Sequence, residues 1–130
     1  MVGKINDADN IRYTKRHEWV MLEDELATVG LTPYAQREAA EIDLVELPAE
    51  ETELRAGDEA ATLESRGDSL SVTAPLDGMV VEANSLLEDA PGLIYSDPYG
   101  DGWLFRMELT DIGAWNDLMT AEEYEKFAGD

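Results

Sequence analysis

A chain of 130 residues with 30 acidic against 9 basic side chains, net charge −21, is repelled by phosphate backbones and anionic lipid, which sets nucleic-acid and membrane-surface roles aside. It contains no cysteine, so disulfides, thiolate metal sites, a cysteine nucleophile and redox sensing are excluded. The remaining composition, 44% apolar with three Trp and five Tyr, can bury one core of ordinary domain size.

In chain order, residues 1–11 read as a flexible tail and 12–130 as a single domain. No secretory signal is visible at the N-terminus, and no apolar run reaches the roughly 20 residues of a spanning helix, so a cytoplasmic protein is expected. Trp19–Glu23 and Leu26–Leu31 are strand candidates flanking the acidic turn Asp24-Glu25. Thr32 is placed to cap a short helix over Pro33–Ala40 with Pro33 in its first position. Ile42, Leu44 and Leu47 mark another strand, closed by Pro48. Ala60–Ser65 and Ser69–Ala74 flank Arg66-Gly67-Asp68, where Gly-Asp suits a tight hairpin turn. Met79–Ala83 and Trp103–Leu109 are the last strands, with breaker-rich loops at Pro91-Gly92 and Asp97–Gly102. Asp111 can cap a short helix through Leu118, and Thr120-Ala121-Glu122-Glu123 has capping-box spacing for a final helix to Phe127. Short strands with turns every 8–12 residues point to a mainly β barrel or sandwich trimmed with helices.

The charge has two readings. It is a solubilising surface, or it steers the chain towards proteins with basic surfaces, more weakly as salt rises. Its distribution is uneven: Gly67 to Phe105 holds seven acidic residues and no Lys or Arg, and no lysine occurs between Lys15 and Lys126.

A succession of motifs carries a resemblance. Tyr13-Thr14-Lys15-Arg16-His17-Glu18-Trp19-Val20 is followed by Ala27-Thr28-Val29-Gly30-Leu31-Thr32 and by Tyr34-Ala35-Gln36. Val45-Glu46-Leu47-Pro48, Gly57-Asp58-Glu59, Glu64-Ser65 and Ala74-Pro75-x-x-Gly78 continue it. It ends on Asp97-Pro98-Tyr99-Gly100-Asp101-Gly102-Trp103-Leu104 and the last helix. From about residue 13 to 127 the chain resembles the H proteins of the glycine cleavage system. The resemblance implies a barrel-sandwich hybrid, like lipoyl and biotinyl domains, of two antiparallel sheets with short helices including a C-terminal one. It implies a carrier rather than an enzyme, with a hairpin lysine holding lipoate. The arm would serve glycine decarboxylase, aminomethyltransferase and dihydrolipoyl dehydrogenase in turn, at the high effective concentration a tether provides.

At the working atom the chain departs from this pattern. H proteins read Glu-Ser-x-Lys-Ala before the Pro-x-x-Gly turn; this chain reads Glu64-Ser65-Arg66-Gly67-Asp68, so Gly67 takes the lysine's place. A guanidinium at Arg66 stays protonated and is a poor nucleophile for amide formation, so no covalent lipoate is expected. Tyr95 and Ala40 also differ from the usual Asn and Gly. By the resemblance, Glu18 and Tyr34 line the cleft that shelters a loaded arm, beside the hairpin residues Glu64, Ser65 and Arg66. Glu18 is then either the carboxylate that meets a positive charge or a solvated side chain beside a buried Trp19.

Three functional readings follow. The chain is a non-lipoylated H-protein paralogue that docks on lipoate-dependent, lipoate-handling or glycine-cleavage enzymes. Alternatively it is an ordinary aminomethyl carrier whose lysine is lost from this sequence, or a non-covalent binder of a lipoyl-type ligand near Glu18. Other constellations carry less. His17, the one histidine, cannot build a triad or multi-histidine metal site and reads as structural. Asp97 and Asp101 lack the ligand series of a calcium loop, and Glu50-Glu51 and Glu122-Glu123 read as solvated faces. Trp19, Trp103 and Trp115 read as anchors of the core.

Overall fold

Residues 10–37, 42–65 and 68–129 are described by the computed structural model. Alternation of apolar and polar residues sorts the strands into two antiparallel sheets that share one core. The larger sheet contains β1 (Ile11–Tyr13), β2 (Glu18–Glu23), β3 (Leu26–Leu31), β5 (Glu53–Leu54), β8 (Gly78–Ala83) and β9 (Phe105–Leu109), in the order β1-β2-β3-β9-β8-β5. The smaller contains β4 (Leu44–Glu46), β6 (Glu59–Ser65) and β7 (Asp68–Thr73), in the order β4-β6-β7. Among the described residues, three helices, α1 (Leu86–Asp89), α2 (Leu93–Ser96) and α3 (Ala121–Gly129), and 3-10 turns at Pro33–Arg37 and Ile112–Asp117 accompany the sheets. No helix among the described residues is long and apolar enough to cross a membrane.

Period-two burial shows why the sheets face each other. Val20, Val29, Val80, Phe105 and Met107 of the large sheet share one cluster with Val45, Ala61, Leu63 and Val72 of the small one. Burying such side chains stabilises by roughly 1.5–3 kcal/mol each before entropy is counted. The opposite face of the large sheet carries aromatic cover at its β1 end. There Ile11, Tyr13, Trp19 and Tyr34 meet Tyr124 of α3 in a second cluster, and Tyr13 stacks on Tyr124 with ring centroids 4.7 Å apart. Trp19 pairs with Gly30 across β2 and β3, and its indole occupies the space where a Cβ on Gly30 would stand. Further along that outer face, Arg106 lies over Thr28 and donates to its hydroxyl at 3.2 Å and to Glu82 at 2.8 Å. The cross-strand register of the sheet aligns Glu23, Leu26, Glu108, Met79 and Glu53 in one row.

Several expectations hold. Leu26–Leu31 is a strand as read, and Asp24 takes the positive φ of 57° that the turn before it needs. Thr120 and Glu123 form the reciprocal capping box at 2.9 and 3.2 Å, and Asp111 caps the turn beyond it by accepting from the Gly113 N–H. Trp115 anchors that turn by donating to the Val20 carbonyl at 3.1 Å.

Others are corrected. Pro33–Arg37 is a 3-10 turn, and the rest of the expected helix lies outside the described residues. Thr32 does not cap it through its side chain, because its hydroxyl is engaged by the Tyr124 hydroxyl at 2.6 Å; the Thr32 carbonyl accepts from the Ala35 N–H instead. Pro91-Gly92 is a turn as read, but the helices on either side of it, α1 and α2, are too short to show a helical period and escaped the sequence reading. Ile11 lies inside the tail boundary and is buried in β1 opposite Met21; residues 1–9 lie outside the described residues.

Candidate functional site

The hairpin of β6 and β7 is the longest arm of the small sheet, and its two ends differ. Its ladder runs from Glu59 opposite Thr73 to Ser65 opposite Asp68. Arg66 and Gly67, between the last pair, lie outside the described residues. Glu64 is half-buried and stands between Leu44 and Ser69 in register.

At the other end, about 17 Å away at strand rise, sits Glu18. The first residue of β2, it follows a turn in which His17 takes φ 67°. Thr14 organises that turn: its hydroxyl accepts from the backbone N–H groups of Arg16 and Glu18 at 3.2 and 3.3 Å. Glu18 is 2% exposed, so the solvated reading of this side chain is overturned. One carboxylate oxygen accepts from the Thr14 hydroxyl at 3.1 Å. The other accepts from the Thr73 N–H at 3.1 Å and the Thr73 hydroxyl at 3.4 Å. Burial pushes the Glu18 carboxyl up from the usual 4.5 to about 7, against the pull of these hydrogen bonds and the Arg16 charge. The group therefore changes charge near neutral pH.

Above Glu18 opens a cleft of about 320 Å³, bounded by Thr14, Lys15, Arg16, Thr73, Pro75 and Met119 among others. Buried carboxyl and rim cations give it a mixed polarity. Tyr34, expected beside Glu18, is not among the residues described around this cleft; it is buried in the aromatic cluster, 5.8 Å from the Tyr124 ring and 6.2 Å from His17. The structure thus separates three groups of expected site residues. Glu18 has the cleft, Tyr34 has the aromatic cluster, and Glu64 with Ser65 lies up the hairpin towards Arg66 and Gly67. Tyr95 on α2 is half-buried against the main core, and Ala40 lies outside the described residues.

Thr14 and Thr73, which hold Glu18, escaped the sequence reading. Thr14 had a local signal in its spacing of four from Glu18. Thr73, 55 residues away, had none. His17 is structural as expected: its Nδ1 and the Tyr124 hydroxyl are 2.7 Å apart. Asp97 braces its own loop by accepting from the Asp101 N–H at 2.9 Å, and no cluster of three or more metal-ligating side chains occurs among the described residues.

Two packed antiparallel sheets, one extended by the β6–β7 hairpin, with short helices as trim, make the class of fold that the sequence resemblance implied, a barrel-sandwich of the lipoyl-domain type. The comparisons with known proteins narrow this. The pattern of the family described as "Glycine cleavage H-protein" matches residues 11–130, and the chain belongs to that family. A glycine cleavage system H protein of Coprothermobacter proteolyticus is 43% identical over 123 residues, covering 94% of this chain and 97% of the relative. That of Thermotoga maritima is 44% identical over 116 residues, covering 89% and 94%. The crystal structure of a glycine cleavage system H protein from Mycobacterium marinum superposes with a TM-score of 0.84 at 32% identity, covering 95% of this chain and 99% of that one.

Proposed function

We propose that this chain is an H-protein relative without a lipoyl arm, acting as a docking module for lipoate-dependent or glycine-cleavage enzymes. The observation that carries the reading is the lysine gap. None occurs between Lys15 and Lys126, and Gly67 stands where the family's motif places the attachment residue. Amide formation needs an amine that can shed its proton, and the hairpin sequence Glu64-Ser65-Arg66-Gly67-Asp68 offers none. The residues present therefore do not fit covalent lipoate, and no transfer step is assigned to the chain.

What remains is the family's scaffold with a charge of −21. Such a surface steers encounters with basic faces, including those of a glycine decarboxylase, an aminomethyltransferase, a dihydrolipoyl dehydrogenase or a lipoate-handling enzyme in the cytoplasm. Intact-mass measurement after co-expression with a lipoate ligase tests the reading, with a lysine-bearing H protein as positive control. The unmodified mass is expected, and a lipoyl increment overturns it. Capture of one of these enzymes from native lysate at low salt, with release at high salt, tests the docking half.

The buried Glu18 beneath its cleft favours a second reading, non-covalent binding of a lipoyl-type ligand or of a partner's arm. Calorimetry with lipoamide and aminomethyl-lipoamide decides it, and heats equal to dilution count against it.

A further inference from the structure

In the small sheet β7 is an edge strand, and its outer side is open for part of its length. Two hydrogen bonds fix which backbone groups face outward. The Asp43 N–H donates to the Glu64 carbonyl at 2.8 Å, which turns the backbone of Glu64 towards β4. Its partner Ser69 is then in a non-hydrogen-bonded position of the β6–β7 ladder and points its N–H and C=O away from β6. The Thr73 N–H, two and four residues further on in the same phase as Ser71 and Ser69, donates outward to Glu18. Both observations give the same phase. Ser69 and Ser71 present four backbone groups along the edge, both residues are exposed, and no hydrogen bond from elsewhere among the described residues reaches those groups. The open stretch ends at Thr73, where the Glu18 carboxylate takes the position a neighbouring strand's carbonyl would occupy.

Side chains beside this edge select what can pair with it. Outward from the sheet, Glu64 stands across from Ser69. One rung down, Glu59 is held over the same face, accepting from the Thr62 hydroxyl at 2.8 Å and the Ser71 hydroxyl at 3.3 Å. Glu46 adds a third carboxylate opposite Thr62. A strand added to β7 would lie about 10 Å from β6, two inter-strand spacings away. Only the short serines intervene, so a lysine or arginine opposite Ser69 or Ser71 can lean across to Glu64 or Glu59. A second copy of this chain does not fit, because it would bring these carboxylates and a further charge of −21 against their own kind.

The geometry points to the β7 edge at Ser69–Ser71 as a strand-addition site for an extended, cation-bearing segment of a partner protein, with Lys or Arg at alternate positions. Main-chain pairing supplies the attachment and the carboxylates supply the choice of partner. This rests on the docking reading above for the existence of a partner, and not on the missing arm.

The probe is a capped peptide, Lys-Thr-Lys-Val-Lys-Thr-Lys, titrated at low salt into the isotopically labelled full chain and followed by NMR. Shifts centred on the Asp68–Val72 amides and slower hydrogen exchange at Ser69 and Ser71 are expected. The same peptide with every internal amide N-methylated keeps its charge and should bind at least about ten-fold more weakly, having lost its donors. The double variant Glu59→Gln with Glu64→Gln should weaken the parent peptide several-fold with the fold unchanged by its amide spectrum. Equal affinity of the methylated peptide, shifts centred on the Glu23, Glu108 and Glu53 row, or no binding at millimolar peptide would each overturn the proposal. A lipoylated mass would sink the arm-free reading and leave this result standing.

Discussion

The β1 edge of the large sheet and the β7 edge of the small one are both short, antiparallel and at the rim, yet they end differently. At β1, Tyr13 exchanges both backbone bonds with Met119, at 2.9 and 3.0 Å, and Arg12 donates to the Leu118 carbonyl at 3.1 Å. Tyr124 of α3 then stacks on Tyr13 and closes the edge with aromatic surface. Along β7, Ser69 and Ser71 have no such cover, and closure begins only at Thr73, through Glu18. Proteins commonly shield strand edges to prevent unwanted pairing. The contrast between an open edge at Ser69 and Ser71 and a sealed one at β1 is the ground on which the pairing proposed above rests.

Tyr124→Ala tests the sealed edge most severely. Removing a fully buried ring that stacks on Tyr13 and bonds His17 and Thr32 should cost about 3–5 kcal/mol in chemical denaturation. A loss below about 1 kcal/mol would mean that α3 contributes little to the closure.

Glu18, the seam between open and closed β7, makes stability depend on pH. Its folded pKa of about 7 lies above the usual 4.5. The folded chain therefore keeps a proton that the unfolded chain has released, and this contribution is fully present below about pH 4.5 and lost as pH rises through about 7. Wild type should lose up to about 3 kcal/mol from this group over that span. Glu18→Gln keeps an acceptor for Thr73 and should flatten the profile. An identical pH slope in the two proteins would place the titration elsewhere.

Thr120→Ala removes one half of the capping box of α3 and should cost about 1 kcal/mol in melting experiments. The smallest effect is the most discriminating. Ser71→Pro deletes an outward N–H together with the exposed hydroxyl's 3.3 Å bond to Glu59, and should cost about 1 kcal/mol or less, since proline is tolerated where an edge faces solvent. In the unmodified chain, hydrogen exchange should be fast at Ser69 and Ser71 and slow at Leu70, Val72 and Tyr13. Slow exchange at the two serines would show the edge to be covered already.

Signals confined to a few neighbouring residues were legible in the sequence. The Thr120–Glu123 box, the Asp111 cap, the strand Leu26–Leu31 and the paired arms around Arg66-Gly67 all followed from local chemistry, and the succession of motifs carried the family. What escaped depended on distance or brevity. Three residues of β1 and four-residue helices show no period. Thr32 failed as a cap because Tyr124, 92 residues on, claims its hydroxyl. Of the two readings of Glu18, the solvated one rested on the usual exposure of glutamate and fell to a partner the sequence did not point to, Thr73. Tyr34 was assigned to the Glu18 cleft by analogy, whereas the nearest aromatic surface draws it into the cluster under α3.

The row Glu23, Leu26, Glu108, Met79 and Glu53 gives the outer face of the large sheet the character of a polyelectrolyte. Its carboxylates repel one another in dilute buffer, and only two ion pairs, Arg106 with Glu82 and Lys126 with Glu122, are seen among the described residues to set against them. Molar salt shortens the reach of that repulsion to about 3 Å, so a brine that would loosen a protein held by ion pairs should tighten this one.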